Sequence, residues 1–391
     1  MAPMSDVGAI VLGGDYQGLG IVRSLGRRGV PVCVVDDERS ISSFSRYASR
    51  SVRVPDLADG SNTVEALLAL EAEVGLRGWV VFATRDETVE VLSRNRTVLS
   101  ERLRVPAPSW DTFHRAWDKR STYRLAEDIG LPVPRTWHPG SIEELEAIDA
   151  TPPLVIKPAI KPRFFNATKA KAWQADTSPE LRERFTAATR VAGEDGVMVQ
   201  ELIPGSGEQQ FAYCAFFAGG RPMGSMVVRR LRQHPHDFGR ASTFVETIEL
   251  PALEAMGERF LSAIDYYGLA ELEFKLDRRD NSYKLLDFNA RTWGYHSLGQ
   301  AAGVDFPYLL FCDQVGKPHA PCRAAAGVRW MRLVTDLPTA IVDIREGRLR
   351  LADYLRSVRD HDVDAVFSLE DPKPGLAELA LLPYLYVKRG F

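Results

Sequence analysis

The stretch AELEFKLDRRDNSYKLLDFNAR, Ala270–Arg291, decides the fold. Polar and apolar residues alternate on either side of the turn-forming run Arg278-Arg279-Asp280-Asn281-Ser282. That pattern predicts two antiparallel strands, Glu271–Asp277 and Tyr283–Arg291. Leu272, Phe274 and Leu276 point to one face of the first strand, and Glu271, Glu273, Lys275 and Asp277 to the other. In the second strand Leu286 and Phe288 lie on the face opposite Asp287 and Asn289. Centring the hairpin on Asp280 sets Glu273 across from Asp287 and Glu271 across from Asn289. Residues opposed in this way have Cβ atoms about 4.5–5.5 Å apart. Two carboxylates that close repel each other unless positive charge lies between them, and a hard dication with oxygen ligands is the natural resident. Charge alternation alone would describe a solvated sheet face equally well. The Asp-x-Asn-x-Arg ending favours the cation, because it adds a neutral oxygen ligand and a positive group beyond it, and phosphoryl transfer needs both.

Upstream, Trp117-Asp118-Lys119 opens a helix with Asp118 as N-cap, ending at Gly130 before Leu131-Pro132-Val133-Pro134. Lys119 in the first turn opposes the helix dipole, which favours acids there. Leu154–Pro158 is an apolar strand carrying Lys157, a charge that needs an anionic partner if it is buried; snorkelling at the strand end is the plain alternative. Val197–Ile203 is a buried strand closing on Pro204-Gly205-Ser206-Gly207, with Glu208 beyond. Phe211–Phe217 and Pro222–Val228 follow as antiparallel strands. RRLRQHPHDFGR then holds the densest positive cluster of the chain: Arg229, Arg230, Arg232, His234, His236 and Arg240. The cluster is too short and too poor in aromatics for a nucleic-acid groove, but it suits a polyanion such as a triphosphate or acyl-phosphate.

The N-terminal hundred residues open as strand, glycine-rich turn, helix and strand: Val7–Leu12, GGDYQGLG, Leu19–Arg28 and Val30–Asp36. That is the start of a doubly wound α/β unit. The glycines miss G-x-G-x-x-G spacing, so the dinucleotide fingerprint is imperfect, and no Lys-Ser/Thr follows, so it is not a Walker loop. They either admit a ligand at the helix N-terminus or simply serve a tight turn. Thr84-Arg85-Asp86-Glu87 lies past the carboxyl end of strand Trp79–Ala83, a place where α/β sheets bind ligands.

At 391 residues the chain calls for two or three domains. A net charge of −3 without a long basic run argues against nucleic-acid or anionic-membrane partners. There is no apolar run of membrane-spanning length, and MAPMSDVGAIVLGG is unlike a signal peptide. Cys33, Cys214, Cys312 and Cys322 form no CxxC pair and read as reduced core thiols. A cytoplasmic protein is expected, with homodimerisation left open.

Taken in order, Asp118-Lys119, Ile156-Lys157-Pro158, Gln200-Glu201-Leu202-Ile203-Pro204-Gly205 and Glu273…Asp287-Phe288-Asn289-Ala290-Arg291 resemble the ATP-grasp superfamily of ATP-dependent carboxylate–amine (or carboxylate–thiol) ligases. The resemblance spans roughly Trp117–Phe311, and the N-terminal region looks like a pre-ATP-grasp domain. RRLRQHP…G, WGYHSLGQAAGVDFP and SLEDPKPGL place the chain nearest a bacterial group close to the D-aspartate ligases. The resemblance implies α/β and α+β architecture: a Rossmann-like pre-ATP-grasp domain (1–110), a small lobe with linker helix (111–190), a central antiparallel lobe (191–320) and a region completing or covering it (321–391). It implies ATP and Mg²⁺, with Mn²⁺ as a substitute, and small-molecule carboxylate and amine substrates, amino acids or small peptides.

By the same resemblance, Lys119 and Lys157 touch the nucleotide phosphates, Gln200 and the Glu201 main chain meet the adenine amino edge, Ile203 offers its N–H, and Glu208 holds the ribose. Glu273, Asp287 and Asn289 are the implied Mg²⁺ ligands. Arg291 stabilises the acyl-phosphate and tetrahedral intermediate, with Arg232 as helper. The family's glycine-rich phosphate loop is missing: no glycine lies between Lys157 and Gly193, and Lys161, Arg163, Lys169 and Lys171 supply positive charge instead, Lys169 being counted among the nucleotide ligands. No residue is marked as general base; Asp237, His296 and Glu271 are the nearest. Three rivals remain at this level: a nicotinamide-dependent reductase, a non-catalytic nucleotide-binding module, and an ATP-grasp kinase.

Overall fold

The computed structural model describes residues 7–168, 170–205, 207–235, 239 and 241–389. Apolar runs near the N-terminus build a parallel sheet from β1 (Ala9–Leu12), β2 (Val32–Asp36), β3 (Arg50–Arg53) and β4 (Val80–Ala83), in the order β3-β2-β1-β4. β1 and β2 are buried at every position, as parallel strands covered on both faces must be. Gly13, at φ 91°, turns the chain into the helix Tyr16–Gly26, which Asp15 caps by accepting from the Gln17 N–H at 3.1 Å. Gly20 exists for close packing: a Cβ there would meet the His296 ring at 2.6 Å. At the end of β2, Asp36 accepts from the Gly14 N–H at 2.7 Å and from Arg85 at 2.9 Å. The acid that a dinucleotide's ribose would need is therefore committed to the protein, which removes the basis of the reductase reading.

A second, antiparallel sheet consists of β5 (Thr136–Trp137), β6 (Leu154–Pro158), β7 (Trp173–Ala175) and β8 (Val197–Glu201), in the order β5-β8-β6-β7. β8 lies beyond the expected boundary at 190 yet belongs here, so this sheet closes at Glu201. Where the family's glycine-rich loop is absent, Lys161–Thr168 forms a helix, and Lys169 lies outside the described residues. The helix Lys119–Asp128 begins as expected, with Asp118 accepting from the Arg120 N–H at 3.0 Å.

The third sheet runs β13-β12-β9-β10-β11-β15-β16, where β9 is Gln210–Ala218, β10 Arg221–His234, β11 Ala241–Ile248, β12 Gly268–Asp277, β13 Ser282–Asn289, β15 Arg329–Met331 and β16 Val363–Asp364. The short β14 (Cys322–Arg323) pairs with β10. β10 extends to His234, so the first part of the arginine-rich segment is strand, not loop; His236, Asp237 and Arg240 lie outside the described residues. Both faces of this sheet are packed: Cys214 and Phe216 of β9 lie in one core, Tyr213, Ala215 and Phe217 in another. Glu271, on β12 beside β9, is only 4% exposed and so is not on a solvated face. The C-terminal region adds β15 and β16 to the sheet edge and ties back to the first sheet's helix, where Asp371 accepts from Arg23 at 3.0 Å and from Ser45 at 2.7 Å.

Candidate active site

The β12–β13 hairpin has Glu273 opposite Asp287 and Glu271 opposite Asn289, the register expected from alternation. It reaches that register through a bulge. Beyond Glu273 the pairing slips by one, Phe274 facing Leu285 and Lys275 facing Lys284. Leu286 is the extra residue. Leu285 takes the core position assigned from alternation to Leu286, and Leu286 turns to line a cavity instead. Tyr123 Oη holds the bulge by donating to the Leu286 carbonyl at 2.9 Å.

Glu273, Asp287 and Asn289 converge at the inner end of the hairpin. The Lys119 ammonium pairs with Asp287, and Arg230 Nη2 reaches Glu273 at 3.3 Å. Asn289 Nδ2 donates to Glu271 at 2.9 Å and to Glu273 at 3.3 Å. Among the described residues, no group of three His, Cys, Asp or Glu is placed to hold a metal. A cation here would draw its other ligands from an amide oxygen, water and phosphate, which is how Mg²⁺ is usually bound. The donor set of two carboxylates and one amide fits that ion.

On one side of this centre lies a cavity of about 160 Å³ between the second and third sheets, lined by Lys157, Ile203, Lys275 and Leu286 among others. Burial, then the neighbouring Lys119, push the Lys157 amine down to about 7. Its Nζ donates to Gln200 Oε1 at 2.7 Å, and Gln200 Nε2 donates to Thr136 at 2.9 Å. Gln200, expected at an adenine edge, has both ends of its amide engaged within the protein. Glu201 lines the cavity, but its carboxylate pairs with Arg279 at 2.7 Å and Lys284 at 3.0 Å. Lys275, unassigned from sequence, clamps the linker after β8 by donating to the Ile203 and Gly205 carbonyls, each at 2.8 Å. Glu208 is exposed on the single turn Gly207–Gln209 next to it.

On the other side a cleft, also about 160 Å³, is bounded by Tyr16, Gln17, Arg230, Ser242, Arg291 and Tyr295. Arg291 Nε donates to Asp86 Oδ1 at 2.6 Å and Nη2 to Asn289 Oδ1 at 3.2 Å. The loop after β4 thus reaches the site through Asp86. Arg232 does not reach it. Its guanidinium forms a bidentate pair with Asp336 at 2.9 and 2.7 Å and lies over the Phe244 ring at 4.3 Å. Irregular register around Arg232 turns it out of the cleft. Arg230 occupies the position expected of Arg232, and alternation continued past Val228 would have found it. The triphosphate cluster therefore comes apart: Arg229, exposed, pairs with Glu246 at 3.1 Å, Arg232 with Asp336, and Arg230 alone of the three faces the centre.

Of the expected general bases, His296 is buried with Nε2 against the Gln17 carbonyl at 2.9 Å. Glu271 lies in the cleft wall, and burial, followed by the Glu273 charge, raises its carboxyl above the usual range.

No family model matches the chain. The second and third sheets, with the cavity between them and the carboxylate hairpin on the third, have the ATP-grasp fold, and the first sheet is the Rossmann-like unit that precedes it. Among solved structures, the chain is similar to an L-amino acid ligase from Bacillus licheniformis (TM-score 0.61, 16% identity, 81% of this chain and 76% of that one). It is similar also to the biotin carboxylase domain of the Hydrogenobacter thermophilus 2-oxoglutarate carboxylase, solved with MgADP, ADP and bicarbonate (TM-score 0.66, 13% identity, 83% and 74%). In sequence, the chain is similar to the D-aspartate ligase of Enterococcus faecium (strain Aus0004), 24% identical over 303 residues, covering 72% of this chain and 70% of that one.

Proposed function

We propose that this protein is an ATP-dependent carboxylate–amine ligase that works through an acyl-phosphate. The observation that carries the reading is the pairing of opposites at the inner end of the hairpin. Lys157 lines the cavity between the second and third sheets, Lys119 lies beside it, and Glu273 and Asp287 face them from β12 and β13. Burial and the neighbouring Lys119 disfavour the charged form of Lys157, and phosphate oxygens beside it would favour that form.

A carboxylate oxygen of the acid attacks the γ-phosphorus of ATP, and ADP leaves. The amine nitrogen then attacks the acyl carbon, loses a proton, and expels phosphate, which carries that carboxylate oxygen away. Lys119 and Lys157 hold the phosphates in line, and Arg230 and Arg291 flank the acyl group from the cleft. Arg291, fixed by Asp86, donates to the oxyanion of the tetrahedral intermediate. Glu273, Asp287 and Asn289 are the residues that would hold Mg²⁺, or Mn²⁺ in its place, which supplies charge neutralisation for the transferring phosphoryl group. The adenine would lie between Ile203 and Leu286, with Glu208 at the ribose. Substrates are amino acids or small peptides, as the names of the two similar ligases suggest, and the protein acts in the cytoplasm.

Screening pairs of amino acids for phosphate release tests this. Release only when acid, amine and ATP are all present supports the ligase. Stable phosphorylation of a single substrate would make it a kinase, and nucleotide binding without turnover across the screen would make it a sensor.

A further inference from the structure

The glycine-rich turn GGDYQGLG, which the proposed chemistry does not use, delivers Tyr16 to the cleft. Tyr16 is the first residue of its helix, and it lines the cleft together with Gly294. Gly294 makes room for the phenol. A Cβ there would lie 2.7 Å from Tyr16 Oη, and its three nearest atoms would all belong to that side chain. Over one face of the ring, Arg332 places its guanidinium carbon 4.0 Å from the centroid. The ring quadrupole attracts a cation so placed, more strongly when the pair is shielded from water. Trp330, wholly buried on β15, packs against Tyr16 at 6.3 Å and against Tyr295, the cleft's other tyrosine, at 6.2 Å.

Arg332 is held in turn by the C-terminal helix, Lys373–Arg389. Its Nη2 donates to Glu378 Oε1 at 3.1 Å, and the two residues are 6% and 1% exposed. Arg332 Nε and Glu378 Oε2 have no hydrogen-bond partner among the described residues. A buried ion pair with polar atoms left over stabilises a fold no better than apolar side chains of similar size. Stability therefore does not account for this pair, whereas the ring stacked on it does.

We infer that Tyr16 is a specificity-determining residue that limits the side chain of the acid, and that Arg332 and Glu378 are positioning residues that fix its ring from the C-terminal helix. This rests on the ligase reading, which puts the acid in the cleft.

The test takes an acid and amine pair from the phosphate-release screen and measures kcat, KM for the acid, KM for ATP and urea unfolding. Tyr16→Ala should raise kcat/KM for acids with longer side chains about tenfold relative to the best acid of the unmodified protein. An unchanged ranking overturns the specificity assignment. Arg332→Met/Glu378→Met removes the pair without leaving either charge alone. It should raise KM for the acid about fivefold or more while KM for ATP changes less than about twofold. In a Tyr16→Ala background the same double replacement should change KM for the acid less than about twofold. An unchanged KM for the acid, an equal rise in both backgrounds, or a rise shared by ATP overturns the positioning role. If the double replacement does not fold, Gly294→Ala, whose Cβ meets the Tyr16 side chain, carries the test with the same expected split, and an unchanged KM for the acid overturns it. Absence of phosphate release that needs both acid and amine in the unmodified protein would instead remove the ligase reading.

Discussion

The two ends of the β12–β13 hairpin carry similar charged residues in opposite electrostatic states. At the outer end Asp277, fully buried, is held by Arg279 at 2.6 Å and Lys284 at 2.8 Å, and both cations also reach Glu201. The Arg279 hydrogen bonds, then Lys284, keep the Asp277 carboxyl well below its usual range. At the inner end Glu271 is pushed up and Lys157 down to about 7. The outer end pairs each carboxylate with two cations, whereas at the inner end burial and like charge oppose the ionised forms of Glu271 and Lys157. Charged alternation thus has both meanings on one hairpin, structural at the tip and, in the proposed reading, chemical at the base.

Breaking either end separates the two meanings. The largest effect is expected from Glu273→Gln and Asp287→Asn, each lowering ATP turnover by about a thousandfold or more in an ADP-release assay while the melting temperature holds. Next is the arginine pair. Arg230→Ala should lower kcat/KM by about a hundredfold, whereas Arg232→Ala, which leaves Asp336 buried without its cation, should act on stability with about 3 kcal/mol lost in urea unfolding. Asp277→Asn should cost about 1–3 kcal/mol and leave turnover within a few-fold. The folded-state carboxyl of Asp277 is depressed, so its contribution is present above its ordinary value of 3.8 and lost as pH falls below it. The gap between Asp277→Asn and the unmodified protein should therefore close in acid.

The smallest effect is a proton. Lys157 sits at about 7 in the free protein, so at pH 8 most of it is neutral, and phosphates pair with the ammonium form. Nucleotide binding at pH 8 should take up close to one proton, seen by calorimetry in buffers of different ionisation enthalpy, and affinity should fall as pH rises above 7. Because the folded-state value lies below the ordinary 10.5, the cost to stability is full below pH 7 and relieved between 7 and 10.5. Lys157→Met should accordingly stabilise the protein most at pH 6 and progressively less in alkali.

Local pattern in the sequence was enough to place Glu271, Glu273, Asp287 and Asn289 in register, to start a helix at Lys119 and to put Lys157 on a buried strand. What it missed depends on contacts made elsewhere. The bulge at Leu286 is set by Tyr123 and by the Pro132 carbonyl, which accepts from the Leu285 N–H at 2.9 Å, more than a hundred residues away. Alternation is clear only to Val228, and the arginine run beyond it has the composition of a loop, which hides Arg230 on a strand that continues to His234. Lys275 seemed one more exposed charge on an alternating strand, and only the returning linker makes it a clamp. β15 and β16, three and two residues long, carry too little pattern to be seen without the sheet edge they extend.

The central claim is that the inner end of the hairpin activates a carboxylate as its acyl-phosphate. With an acid and amine pair found by the phosphate-release screen, the acid is labelled with ¹⁸O in its carboxylate and the released phosphate is weighed by mass spectrometry. One ¹⁸O per phosphate is the predicted result. Unlabelled phosphate, released in step with amide formation, would contradict it.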